Sequence, residues 1–211
     1  VLKVVLATPR YLVIDKPSGM LSVPGIGEHK QDCAITRVQS LFPEATGPLM
    51  VHRLDTDTSG LLLVALDPDA QRALSMQFEA RTVAKAYAAV LDGLVSQDEG
   101  QIDLPLRLDP GNRPFQLVDF HYGRPALTRF RVLERSAGRT RVQFNPVTGR
   151  THQLRVHAAH PGGLNAPILG DVLYHPRGRA SGPRLLLHAS YLAFNDPDTD
   201  RRVEVHAPPE F

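Results

Sequence analysis

Among 211 residues there is one cysteine, Cys33, and no tryptophan. A lone cysteine excludes an intrachain disulfide framework and points to a reducing, cytoplasmic compartment. No apolar run approaches the ~18 residues that a membrane-spanning helix needs, and the opening VLKVVLATPR turns polar too early for a secretion signal, so no membrane partner is expected. Nucleotide-binding signatures are missing too. GIGEHK (25–30) lacks the spacing and the following hydroxyl residue of a phosphate-binding P-loop, and no G-x-G-x-x-G opens a helix after a strand. The G-x-S-x-G elbow of serine hydrolases is also absent. A nucleotide cofactor therefore has nowhere obvious to bind.

What is present is an ordinary globular composition, 42% hydrophobic and 22% charged, with enough chain for one domain over residues 1–211. The charge is unevenly spread. Residues 107–184 hold thirteen arginines, no lysine and four acids (Asp109, Asp119, Glu134, Asp171), a net +9 that leaves −7 for the remainder of a chain whose total is +2. A GC-rich genome explains arginine in place of lysine, but not its gathering in one segment. Guanidinium groups suit phosphate, being planar and able to bind bidentately; a polyanion partner is expected.

The pattern along the chain is strand-rich with few helices. YLVIDKPSG reads as a short strand stopped at Pro17, and GLLLVAL, from Gly60, as a buried strand by its unbroken apolar run. The apolar stripe of QDCAITRVQSLFP predicts a helix ending at Pro43. DPDAQRALSMQFEAR predicts another, with Asp67 as N-cap, Pro68 in the first helical position and Ala70, Leu74 and Phe78 facing inward. TVAKAYAAVLDG reads as a strand; GQIDLPLRL, PFQLVDFHYG, PALTRFRVLERS and RTRVQFNPVTG read as an antiparallel meander; PRLLLHASYLAF and RRVEVHAPP read as closing strands. GRTHQLRVHAAH predicts a short helix capped by Thr151, with Gly149 ahead of N–H groups able to hold a phosphate. The sum is an α+β fold with a mixed or antiparallel sheet. No exposed apolar stripe stands out, so a monomer is expected.

Three stretches carry candidate chemistry. In HRLDTDTSG (52–60) a carboxylate, Asp55, stands at the head of a strand, with Arg53 two residues before it and the hydroxyls of Thr58 and Ser59 after it. A cation nearby favours the ionised acid; the competing reading is an Asx-type turn that only shapes the entry to the strand. In GRTHQLRVHAAH, His152 and His157 are five apart, off one helical face, and lack the glutamate and spacing of a zinc helix. They and the arginines are read as phosphate contacts or as structural hydrogen-bonders. In KAYAAVLDG, Tyr87 is two residues from Lys85 on one strand face: a stacking ring with a phosphate-steering ammonium, or a core tyrosine.

Taken together these motifs resemble the RluA-type family of pseudouridine synthases. HRLDTDTSGLLLVA is similar to the family signature; DKPSGMLSVPG, KAYAAVLDG, GRTHQLRVHAAHPGGLNAPILGDVLY and LLLHASYLAF resemble its other motifs in order and separation, over residues 11–208. The middle, NRPFQLVDFHYGRPALTRFRVLE, is most like the members that act on both an rRNA hairpin and a tRNA anticodon loop. The resemblance implies a catalytic domain built on a long, mostly antiparallel sheet with a central RNA cleft, no appended RNA-binding domain, and isomerisation of a loop uridine in 23S rRNA, tRNA or both, without cofactor or metal. It implies Asp55 as the catalytic aspartate, acting as nucleophile or base, Tyr87 as the active-site tyrosine and Arg155 as the basic partner of Asp55. His52, Arg53, Thr58, Lys85, Arg113, Arg150, His152 and Gln153 are the expected RNA contacts. Two rival readings are a catalytically silent RNA-binding protein of the same fold and a metal-dependent nuclease.

Overall fold

The computed structural model describes residues 2–211, the side chain of His29 excepted. It divides into two compact units: the chain up to Lys85 together with His188–Glu210, and Ala86–Leu187 together with Phe211.

The first unit is a sheet with two helices. Strands β1 (Lys3–Ala7), β2 (Tyr11–Lys16) and β3 (Ser59–Ala65) lie side by side, β2 antiparallel to both neighbours. The register of β2 and β3 runs from Tyr11↔Ala65 to Lys16↔Gly60, so the last rung sets a lysine opposite the glycine that follows the HRLDTDTS loop. All seven residues of β3 are buried, as its unbroken apolar run requires of a strand covered on both faces. Helix α1 (Ala34–Leu41) starts at Cys33, whose sulfur accepts the Thr36 N–H while Thr36 Oγ1 accepts the Cys33 N–H at 3.0 Å, a reciprocal cap built on a buried thiol. Helix α2 (Pro68–Glu79) starts as its sequence predicts: Asp67 accepts the N–H groups of Asp69 and Ala70, and Pro68 fills the first helical position. Ala70 and Leu74 are buried against Val13, Leu63 and Phe194, with Phe78 half-buried beside them. Strand β10 (Leu187–Asn195) returns from the far end of the chain to pair parallel with β3, His188↔Ser59 and Ala189↔Gly60, and β11 (Arg202–His206) folds back antiparallel on β10.

The second unit is an antiparallel sheet with one short helix. Strand β4 (Ala84–Asp92) pairs with β9 (Arg139–Pro146), β9 with β8 (Leu127–Ser136), and β8 with β5 (Glu99–Asp103). Its core gathers Ala89, Leu91, Phe130, Val142, Phe144, Leu154 and Ile168. A separate three-residue ladder joins β6 (Leu106–Leu108) to β7 (Gln116–Val118). The α+β class expected from the sequence is the class observed.

Helix α3 (Gln153–Ala159) begins later than expected. Its N-cap is His152, in the left-handed region at φ 54°, and not Thr151. The reason is Gln153. Its Oε1 accepts both the Thr148 hydroxyl (2.7 Å) and the Arg150 N–H (2.9 Å), so the N–H groups after Gly149 that were expected to be open to a phosphate begin with one already engaged.

Candidate active site

The first unit shapes the Asp55 loop. Lys16 ends β2 wholly buried, and its Nζ donates to three backbone carbonyls: Met20 (2.8 Å), Pro17 (3.0 Å) and Thr56 (3.0 Å). Gly19 N–H adds a second bond to Thr56 O at 2.9 Å; Ser18 Oγ donates to Asp57 O at 2.7 Å; Ser22 Oγ donates to Leu54 O at 2.7 Å and accepts the Leu54 N–H at 3.1 Å. The loop closes on itself through Thr58 N–H to Asp55 O at 3.1 Å. Both neighbours of Asp55, Leu54 and Thr56, are therefore tied to the DKPSGMLS stretch, and the half-buried carboxylate stands on backbone fixed from either side. Burial pushes the Lys16 ammonium down to about 8, against the pull of the Asp55 and Asp57 carboxylates. Lys16 and Ser22 were not among the expected site residues. The available signal was a lysine ending the largely apolar YLVIDK strand, because a buried cation must be surrounded by acceptors.

Several expected RNA contacts do other work. His52 Nε2 accepts the Leu63 N–H at 3.0 Å and its ring stacks on Phe78, centroids 4.4 Å apart. That bond needs an unprotonated nitrogen, and burial together with the Lys85 charge pushes the ring down to about 3. His52 is thus a neutral pin between loop and strand. Thr58 is buried and contributes its backbone to the turn. Ser59 Oγ lies 2.9 Å from His188 Nδ1, and His188 Nε2 lies 3.0 Å from the Ala207 carbonyl, which fixes the proton on Nε2 and makes the serine the donor. Arg53 is exposed, and the Lys85 ammonium sits 5.7 Å from the Phe78 ring centre.

The second unit carries Tyr87 and Arg155. Tyr87 stands on β4 opposite Phe144 of β9, half-buried against the core. Arg155, on α3, is 2% exposed, and its guanidinium grips Asp171 by a two-point fork: Nε to Oδ2 at 2.9 Å and Nη2 to Oδ1 at 2.7 Å. Asp171 also accepts the N–H groups of Leu173 (2.9 Å) and Tyr174 (3.1 Å). Burial alone would raise its carboxyl; the Arg155 bonds and charge and these two amides outweigh that and hold it below the usual carboxylate range. The Arg155 guanidinium lies 5.3 Å from the Tyr174 ring centre. The Tyr174 hydroxyl accepts the Gln116 N–H (2.8 Å) and lies 2.7 Å from His152 Nδ1. Asp171 and Tyr174 thus join Arg155 and His152 in one buried network that the sequence reading did not assemble.

Gln153, like His52, is engaged within the fold. Its amide is spent on four partners: the Thr148 hydroxyl, the Arg150 N–H, the Leu127 carbonyl at 3.0 Å and Thr128 Oγ1 at 2.9 Å. It locks the turn before α3 and is 4% exposed. His157 Nε2 sits 3.2 Å from the Leu104 carbonyl and burial pushes the ring down to about 4. Arg150 donates Nε to the Pro125 carbonyl at 3.1 Å, and Arg113 is exposed on the loop between β6 and β7. Among the described residues no three His, Cys, Asp or Glu side chains are grouped to hold a metal, and no helix is long and apolar enough to cross a membrane.

Residues 10–160 match the family profile described as RNA pseudouridylate synthase. The chain is 46% identical over 202 residues to the dual-specificity RNA pseudouridine synthase RluA of Yersinia pestis, covering 95% of each. It is 45% identical over 203 residues to the protein of that name from Pasteurella multocida, covering 95% of this chain and 90% of the other. Among solved structures it resembles human RNA pseudouridylate synthase domain containing 1, with a TM-score of 0.81 and 30% identity over 100% of this chain and 84% of that one.

Proposed function

The chain belongs to the RNA pseudouridylate synthase family, and from that premise we propose that it isomerises a loop uridine in ribosomal RNA, in a tRNA anticodon stem-loop, or in both. Enzymes of this class are isomerases: the N1–C1′ bond of uridine breaks, the uracil turns, and C5 bonds to C1′ while the C5 proton leaves and N1 gains one. A base stacked in a stem cannot turn, so the nucleotide must be extruded, and a loop uridine is extruded at lower cost. The breadth of substrate is read from the dual-specificity relatives at 44–46% identity. Those relatives are named as synthases, which disfavours a silent RNA-binding protein.

In this reading Asp55 is the group that acts on the extruded nucleotide, Arg155 its ionic partner, and Tyr87 the ring that stacks on the uracil. Arg53, Lys85, Arg113 and Arg150 meet the RNA, and the enzyme works as a cytoplasmic monomer. The observation that carries the assignment of Asp55 is the bracing of its loop: hydrogen bonds from the 16–22 stretch hold the residues on either side of it, the preorganisation that a reacting group needs. The test is tritium release from a stem-loop RNA labelled at uridine C5. Asp55→Asn and Asp55→Ala are expected to lower turnover on the order of 10³-fold or more, with RNA still bound. Turnover near the wild-type rate in either purified variant removes the role.

A further inference from the structure

One turn of the second unit shows its apolar side chains to water on a frame too well braced to be incidental. Strand β7 runs into Asp119, which fixes the five residues 119–123. Asp119 Oδ1 accepts the N–H groups of His121 (2.8 Å) and Tyr122 (2.9 Å), its Oδ2 takes the Nε–H of Arg107 on β6, and its carbonyl accepts the Gly123 N–H at 2.9 Å. The Asp119 N–H in turn donates to the Pro105 carbonyl at 3.0 Å. Gly123 is needed for closure, since a Cβ there would lie 2.2 Å from the Asp119 carbonyl oxygen. The tyrosine amide, the Arg107 guanidinium and the histidine amide together hold the Asp119 carboxyl down at about 2, so the brace persists at any physiological pH.

What this frame displays is aromatic. Phe120 is 73% and Tyr122 82% exposed, with His121 exposed between them. Single exposed apolar residues are common, but two large rings on a pinned turn are a prepared surface. Its surroundings are cationic. Arg124 follows the turn, exposed, with its N–H on the Leu106 carbonyl at 2.8 Å; Arg150 reaches the neighbouring Pro125 carbonyl; Arg113 stands exposed on the β6–β7 loop. The acids of this stretch are occupied, Asp119 by Arg107 and the turn amides, Asp109 by Gly111 N–H and Asn112. Two rings make far less than the roughly 800 Å² per partner of a stable protein interface. Aromatic faces amid guanidinium groups instead match unpaired nucleic acid, whose bases stack and whose phosphates pair with arginine.

We propose that the 119–123 turn is an additional RNA contact, in which Phe120 and Tyr122 stack on unpaired bases of the substrate loop other than the reacting uridine while Arg124 and Arg150 hold the adjoining phosphates. The inference rests on the reading of the chain as an enzyme of loop RNA. Stacking of this kind lowers KM and leaves the chemical step alone.

The experiment uses the full chain and a stem-loop RNA with 2-aminopurine at loop positions beside the target uridine, and follows both binding and tritium release. The variant Phe120→Ala/Tyr122→Ala is expected to raise Kd and KM roughly tenfold or more, to keep kcat within about twofold, and to lose the change in 2-aminopurine fluorescence seen with wild type. Phe120→Tyr/Tyr122→Phe, which keeps both rings, is expected to restore all three. Both pairs are exposed, so both variants fold. Wild-type Kd, KM and fluorescence in the double alanine variant overturn the inference, as does a loss confined to kcat. Unchanged RNA affinity with altered self-association assigns the rings to a protein contact and also overturns it. The binding arm decides the matter even if wild type releases no tritium, an outcome that removes the proposed function alone.

Discussion

Lys16 is the residue whose environment is the least forgiving. Its ammonium is out of water with three carbonyls for company, and burial lowers its proton affinity from 10.5 to about 8. Below pH 8 both the folded and unfolded chains carry the proton and the folded state bears the full cost of burying it, on the order of 3 kcal/mol. Between pH 8 and 10.5 the folded chain releases the proton first, so the unfolded state binds more protons and stability rises with pH. The Tm of wild type relative to Lys16→Met is therefore expected to climb from pH 8 to pH 10 in thermal melts; a constant difference across that window would count against a charged, desolvated Lys16. Asp171 makes the complementary case. It forks a guanidinium that is 2% exposed, and Asp171→Asn would replace the two-point charged fork with a neutral amide, a loss of about 3 kcal/mol. Urea unfolding measures it, and an effect below 1 kcal/mol would show that the fork is dispensable. The partners of neither residue were legible in the sequence. Lys16 meets backbone carbonyls, one of them forty residues away, and Asp171 meets an arginine sixteen residues away. Spacing rules see neighbours on one helix or strand, and these pairs are on none.

Elements fared better where local physics decides them. An Asp-Pro pair before an amphipathic stripe specifies the start of α2 by itself, and an unbroken apolar run specifies β3. Strand β1 escaped notice because four of its five residues are exposed, leaving no alternation to read. The start of α3 moved to His152, which stands in the left-handed region, while the Gln153 amide braces the preceding turn through Thr148 and the Arg150 N–H, partners that a capping preference at Thr151 cannot anticipate. Least legible was the pairing of β3 with β10, parallel strands 129 residues apart at their closest rung, His188↔Ser59. That pairing explains Gly60. At φ +110°, a Cβ would stand 2.4 Å from the Ala189 carbonyl oxygen of β10. Gly60→Ala is expected to cost about 2 kcal/mol or more from backbone strain and clash and to lower Tm by roughly 5 °C, measurable by calorimetry. A Tm within 1 °C of wild type would mean that the two strands part without penalty.

At the scale of the molecule, the segregation of charge is the dominant feature. The net +9 of residues 107–184 sits within the second unit, and its physical consequence is direct: each phosphate neutralised by an arginine releases a counterion. The logarithm of RNA affinity is expected to fall linearly with the logarithm of salt, by on the order of 0.7 per phosphate contact for a single-stranded loop. A slope near zero between 50 and 300 mM salt, limits chosen to bracket about physiological strength, would mean that the arginines do not meet the RNA backbone. The other unit holds a different kind of asset. Its helix α1 is closed by the sulfur of Cys33, the chain's single thiol, and that sulfur is buried. A disulfide reagent offered to the native protein has one target and no access to it until the first turn of that helix lifts. Reagent consumption is then a stopwatch for one local opening, built in without any label.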